Sequence, residues 1–151
     1  MLTIALLILG LTASVADTQE TAHLKLTTSV TAGNPAAGKK ATLTLDVDPK
    51  PGIHVYAPGQ KDYIVITLTL DATDAFTAAK AKYPAGERFM MPALNETQLV
   101  YSRAFRITQD ITFKSKPDGP VTIKGRVRYQ ACTDKICFIP QTVAVSWLLP
   151  K

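Results

Sequence analysis

Cys132 and Cys137 are the only two cysteines in a chain of 151 residues, and four residues separate them in YQACTDKICFIP. Two thiols this close can do one of two things: exchange reversibly between dithiol and disulfide, or close a permanent local staple. Exchange needs a thiolate, an accessible sulfur and a partner disulfide approaching in line. A thiol carried on a strand lacks the helix N-terminus that activates thioredoxin-like CxxC motifs, so access and the partner's own cysteine are expected to govern its reactivity. Lys135 between the cysteines favours a thiolate, Asp134 opposes it, and His54 acts either way according to its protonation. As a staple the pair is modest. On the loop-entropy account a six-residue ring contributes roughly 2 kcal/mol, against about 4 to 5 for a ring of a hundred residues. A modest staple at an accessible turn points to the switch, although secreted domains do use disulfides structurally.

The segments around the pair must position it. In Gly125 to Gln130 (GRVRYQ), Val127 and Tyr129 alternate with Arg126, Arg128 and Gln130; in Gln141 to Trp147 (QTVAVSW), Val143, Val145 and Trp147 alternate with smaller or polar residues. Both read as half-buried antiparallel strands. A hairpin with Thr133-Asp134-Lys135-Ile136 at its tip sets the cysteines opposite one another, where Cα atoms about 4.5 to 5.5 Å apart suit a disulfide.

Upstream, β character continues. Ala22 to Thr31 alternates, Gly33-Asn34-Pro35 breaks the run, and Ala41 to Val47 alternates again. Pro49-Lys50-Pro51-Gly52 marks a turn, Ile53 to Tyr56 a short strand, and Tyr63 to Leu70 a long one rich in β-branched residues. Phe76 to Tyr83 reads as a strand or as helical turns, and Pro84 to Leu94 as a functional or connecting loop. Ala104 to Phe113 and Val121 onward return to strand. Seven or eight short strands punctuated by turn signals predict an all-β fold, an immunoglobulin-like β-sandwich of two antiparallel sheets, with Trp147 packed in its core or at an edge.

The first sixteen residues, MLTIALLILGLTASVA, are uncharged and largely apolar and end in Ser14-Val15-Ala16. They read as a cleaved secretion signal, leaving one domain over 17–151, periplasmic or otherwise secreted. As an uncleaved anchor they would rise only about 24 Å as a helix, short of a roughly 30 Å hydrocarbon layer. Lysine and arginine total 17 against 12 acidic residues, a formal +5. The basic residues are scattered, without the stripe of interleaved aromatics that nucleic acid requires. They read as a solvated face that aids solubility and steering.

The run YQACTDKICFIPQTVAVSW, together with PGIHVYAPG, YPAGERF and LVYSRAF, resembles the amino-terminal periplasmic domain of the bacterial thiol:disulfide interchange protein DsbD. The resemblance implies an immunoglobulin-like sandwich whose paired cysteines take electrons from a thioredoxin-like donor and pass them to disulfide-containing periplasmic acceptors, including disulfide isomerases and factors for cytochrome c maturation. It implies that Cys132 and Cys137 are the redox pair, with Cys132 the nucleophile, and that His54 and Tyr56 belong to an aromatic wall beside them. A cap loop that shields the sulfurs would fall within Phe89 to Tyr101, with Phe89, Leu94 and Tyr101 all candidates for the covering side chain. Well-studied members have five residues between the cysteines, not four, and carry a fused membrane domain. Here a membrane reductase is expected as a separate chain, and the domain is expected to be monomeric, without cofactor.

Other chemistry is weakly supported. Cys132, Cys137, His54 and the Met90-Met91 pair are soft or borderline ligands for copper, but there is no CxxC, His-rich tract or repeated Met pattern, and adjacent methionines on a strand point to opposite faces. No metal site is expected. His23 reads as a surface residue, and Asp46 and Asp48 as a solvated face, not paired acid/base carboxylates. The competing reading of the whole chain is a non-catalytic immunoglobulin-like binding module with a structural hairpin disulfide.

Overall fold

The computed structural model describes residues 16–33 and 38–149, so residues 1–15 of the expected leader and the Asn34-Pro35 break lie outside the described residues. The chain runs through β1 (Asp17–Glu20), β2 (Leu24–Gly33), β3 (Lys40–Pro49), β4 (His54–Tyr56), β5 (Thr67–Leu70) and β6 (Phe76–Ala78). It continues through β7 (Glu87–Met91), β8 (Glu96–Tyr101), β9 (Phe105–Phe113), β10 (Val121–Tyr129), β11 (Ala131–Cys132) and β12 (Gln141–Leu149). These twelve strands are more than the seven or eight expected: β1, β7 and β8 lie in stretches not read as strands, and β11 follows β10 into a different sheet.

The architecture is an immunoglobulin-like β-sandwich, all-β as expected, and every pairing between these strands is antiparallel. One layer has the order β1-β2-β3-β9-β6 and the facing layer the order β12-β10-β5. Alternation explains how they meet: Leu43, Leu45 and Val47 of β3, Ile107 and Ile111 of β9, and Ile123 and Val127 of β10 are buried in one core. Each such side chain contributes about 1.5 to 3 kcal/mol by leaving water. Trp147 of β12 lies in that core, 1% exposed, and its Nε1 donates across the layers to Thr44 O at 2.8 Å.

A third sheet, β11-β4-β8-β7, adds Val55, Tyr101 and Ala131 to the same core. Two segments feed it. β10 leaves its partners after Tyr129, and the next residues pair as β11 with β4 instead. Likewise the run Tyr63 to Leu70 is not one long strand. Val65 makes a parallel bridge to Tyr56 and Ile66 N donates to Tyr56 O at 2.9 Å, and only Thr67–Leu70 then pairs with β10. Its apolar character serves two sheets in turn.

The middle of the chain settles one open reading and corrects another. Phe76–Ala78 is a strand, followed by a bridge from Lys82 to Thr108, with no helical turn. The expected loop Pro84 to Leu94 contains β7, and the expected cap loop is a β7–β8 hairpin pairing Phe89 with Gln98 and Met91 with Glu96. Asn95 turns that hairpin at a φ of 50°, in the left-handed region that asparagine tolerates.

Candidate functional site

Cys132 and Cys137 are joined in a disulfide, with Cα atoms 4.0 Å apart. The hairpin expected from the alternation is present, with Val127 opposite Val143 and Tyr129 opposite Gln141. Beyond that pair one arm holds Gln130 and Ala131 and the other Phe138, Ile139 and Pro140, before Cys132 meets Cys137. The extra residue makes a bulge, at a place where proline has no N–H to give to the ladder. Past it, Phe138 N donates to Ala131 O and Thr133 N to Ile136 O, both at 2.8 Å. The cysteines therefore occupy a pair flanked by hydrogen bonds, the closer type of facing position. Thr133 Oγ1 tightens the tip by accepting from the amides of Lys135 and Ile136.

The two sulfurs have different surroundings. Cys132 is fully buried, whereas Cys137 is exposed, as are Asp134, Lys135 and Ile136 beside it. The cause is the third sheet. Because side chains alternate along a strand, one face of this sheet sends Val55, Tyr101 and Ala131 into the main core. The other face carries Tyr56, Val100 and Cys132, with Tyr63, Val65 and Phe89 packed against them.

Tyr56 sits under the disulfide. Its hydroxyl is 3.5 Å from Cys132 Sγ and 3.4 Å from Cys137 Sγ, and since neither oxidised sulfur bears a proton, the phenol is the only available donor. Tyr63 stacks on Tyr56 with ring centroids 4.3 Å apart and donates its own hydroxyl proton to Glu96 Oε2 at 3.0 Å. Burial, with Tyr63 and Glu96 nearby, pushes the Tyr56 phenol up to about 12, so it stays protonated through the neutral range. Gln98, 1% exposed, reaches the same two hydroxyls closely enough to lower their pKa values slightly, without a well-formed hydrogen bond.

His54 and Phe89 complete the wall. His54 lies directly opposite Cys132, is 3% exposed, and its ring stands 5.1 Å from Phe89 and 6.1 Å edge-on from Tyr56. Of the expected cap residues, then, Phe89 is beside the cysteine cluster. Leu94 is not: it is 58% exposed in the turn of the β7–β8 hairpin. Tyr101 is also misplaced as a cap, since it belongs to the opposite face, stacks on Phe105 at 3.9 Å and donates to Pro84 O at 2.6 Å. One step in β8 separates it from Val100, and one step reverses the face.

Sequence reasoning missed Tyr63, Val65, Glu96, Gln98 and Val100. The period-2 pattern of QLVY was the available signal for the last two, but it does not say which face meets the cysteines. His23, expected at the surface, is buried and lies 4.3 Å from the ring of Phe138, which covers it. Met91 is buried and Met90 exposed, as adjacent strand residues should be. No group of three His, Cys, Asp or Glu among the described residues is arranged to hold a metal.

Residues 18–148 match the family described as "Thiol:disulfide interchange protein DsbD, N-terminal". The chain belongs to this DsbD N-terminal family. The match spans the disulfide and nearly all of the sandwich, so the pair stands in a thiol:disulfide interchange domain. Among solved structures, the N-terminal periplasmic domain of ScsB from Proteus mirabilis is similar at a TM-score of 0.59 and 11% identity, covering 84% of this chain and 47% of that one. The chain thus spans about half the length of that relative. The GAE domain of yeast GGA1 gives a TM-score of 0.50 at 11% identity, over 91% of this chain and 100% of that one, a likeness of fold alone. The Neisseria meningitidis DsbD N-terminal domain in its reduced form gives 0.46 at 15% identity, over 72% and 78%. No curated protein matches the sequence significantly.

Proposed function

We propose that this DsbD N-terminal domain is a periplasmic electron shuttle working through Cys132 and Cys137. A thioredoxin-like donor reduces the disulfide, and the dithiol then reduces the disulfides of exported acceptor proteins. The observation that carries this reading is the asymmetry of the pair: one sulfur is held in an exposed turn residue, Cys137, and the other in a fully buried one, Cys132. A donor thiolate reaches Cys137 Sγ first, forms a mixed disulfide with it, and expels Cys132 as a thiolate beside the Tyr56 hydroxyl. That order reverses the expectation of Cys132 as the attacking residue.

The surroundings support a protein partner. Ile136 and Ile139 are 57% and 85% exposed on either side of Cys137, an apolar rim suited to transient docking around an attacked sulfur. A membrane reductase would recharge the donor, and the domain would act as a monomer in an extracytoplasmic compartment.

The test is exchange with a reduced thioredoxin-like protein, followed by alkylation of the freed thiols. Wild type should be reduced, and Cys137→Ala should form no mixed disulfide. Complete burial of Cys132 favours the competing reading of a structural staple, and redox titration separates the two. A reduction potential below about −300 mV marks a staple, and a higher one a working couple.

A further inference from the structure

Exchange between Cys132, Cys137 and a partner disulfide gives His54 no part, yet its position is a close one. Register places it: His54 and Cys132 are directly paired residues of β4 and β11. Directly opposed residues of antiparallel strands project from the same face with Cβ atoms about 4.5 to 5.5 Å apart. The imidazole therefore leaves the sheet on the same face as the buried sulfur, 3% exposed, with the ring of Phe89 5.1 Å and that of Tyr56 6.1 Å away. Its Nε2 is buried without a hydrogen-bond partner.

A buried, unpaired ring nitrogen costs free energy in the state that leaves it so, and a second state that pairs it is one physical reason for it to be kept. The disulfide offers none, because its sulfurs have no proton and accept weakly. Opening the bond changes this at one atom. Cys132 Sγ becomes a thiolate or a thiol, and both exchange protons with imidazole.

We propose that His54 Nε2 is the proton-exchanging partner of Cys132, taking the thiol proton when Cys132 closes the disulfide and returning it when the disulfide is opened. The proposal rests on the exchange reading above and assigns the site its acid–base group. In the delivering direction, Cys137 thiolate attacks an acceptor disulfide, making a Cys137–acceptor bond and releasing one acceptor thiolate. Cys132 then passes its proton to Nε2, and its sulfur attacks Cys137 Sγ. The Cys132–Cys137 bond forms as the mixed disulfide breaks, and the second acceptor sulfur leaves with the electron pair. Two electrons have moved to the acceptor, and the imidazolium releases its proton to solvent or to the departing thiolate.

The charges around the ring suit this role. Burial holds the His54 imidazole below its ordinary 6.5, so it is neutral and able to accept at neutral pH. Asp134 in the turn and Glu87 on β7 are the carboxylates that face it, and both stabilise the imidazolium once formed. Tyr56 is the other polar group packed against it. Its phenol, pushed up to about 12, donates a hydrogen bond to a thiolate but cannot take up the thiol proton. Donor and base are therefore two different residues.

Stopped-flow mixing of the reduced full chain with one equivalent of 4,4′-dithiodipyridine separates the two steps. The first thiopyridone released reports attack by Cys137, the second closure by Cys132. His54→Gln should slow the second release about tenfold or more at pH 7 and move its pH profile to higher pH, in the lower part of the range of general acid–base effects. The first release should stay within about twofold of wild type. An unchanged closure rate and pH profile in His54→Gln overturns the role of His54 and leaves the exchange reading standing. Failure of wild type to close at all overturns both. A measurement without substitution guards against a misfolded variant: imidazole nitrogen-15 signals of wild type should show His54 protonating at higher pH in the reduced chain than in the oxidised one. Equal titration in the two states overturns the proposal.

Discussion

Trp147 and His54 are both ring residues sealed from solvent, at 1% and 3% exposure, yet their polar atoms fare differently. Trp147 Nε1 donates to Thr44 O at 2.8 Å, locking the two layers of the sandwich together. His54 Nε2 has no partner, and Gln98 on the same face has none of good geometry. The main core has an orphan of its own, Gln109 Oε1, but the same amide's Nε2 donates to Ala79 O, whereas the face that carries the sulfur leaves His54 Nε2 and both polar atoms of Gln98 unpaired. The two rings are buried alike, and what differs between them is whether the ring N–H or nitrogen has a partner.

The sharpest break of this comparison lies at the sulfurs. Cys137→Ala should reduce exchange with a thioredoxin-like partner to background, with the fold intact by circular dichroism. Cys132→Ala should instead accumulate mixed disulfides through the exposed Cys137. Equal trapping by both variants would remove the asymmetry from the mechanism. On the structural side, Trp147→Ala should cost about 3 to 5 kcal/mol by urea unfolding, without altering the reduction potential measured on the folded protein. A shifted potential would mean that the two regions are not separable.

Smaller effects sharpen the contrast. Reducing the disulfide should lower unfolding stability by only about 2 kcal/mol, as a six-residue ring predicts, leaving the sandwich folded. Tyr56→Phe removes the hydroxyl next to both sulfurs, and loss of a hydrogen bond to a nascent thiolate should slow exchange roughly tenfold, by analogy with charged hydrogen bonds of about 1.5 kcal/mol. The smallest effect is a slope with pH. His54 is held below 6.5, so the unfolded chain takes up that proton first as the solution is acidified. Stability of the oxidised protein should be full above about pH 6.5 and decline below it, and His54→Gln should flatten that part of the curve. The carboxyls of Glu87 and Asp110 are held below their ordinary values, so their contribution is lost only at more acidic pH.

Much of this was legible beforehand. Val127, Tyr129, Val143, Val145 and Trp147 alternate cleanly and announce the hairpin, but their register continued would set Cys132 against Phe138, and only the one-residue bulge brings it to Cys137. The family likeness of PGIHVYAPG points to Tyr56 and His54, and the structure puts the Tyr56 hydroxyl within 3.5 Å of both sulfurs and His54 opposite Cys132. Tyr101 and Leu94 were not separable from Phe89, because all three are apolar residues near one turn. The strand character of Glu87–Met91 was hidden by Pro84, Gly86 and Pro92 at its borders. Gly86 itself is a packing residue, since a Cβ there would come within 2.6 Å of Ala57 Cβ.

Sequence alone determined what local chemistry can encode: the two sulfurs and their spacing, the period-2 runs that make strands, and the turn residues that join them. Tertiary structure decided which sulfur is open, which rings touch the pair and which nitrogen has no partner. The reason is parity. A strand such as Glu96–Tyr101 has two faces that differ by a single residue, and in this third sheet both are buried, so hydrophobic pattern cannot tell them apart. Only the docking of β11 on β4 chooses the face that meets Cys132.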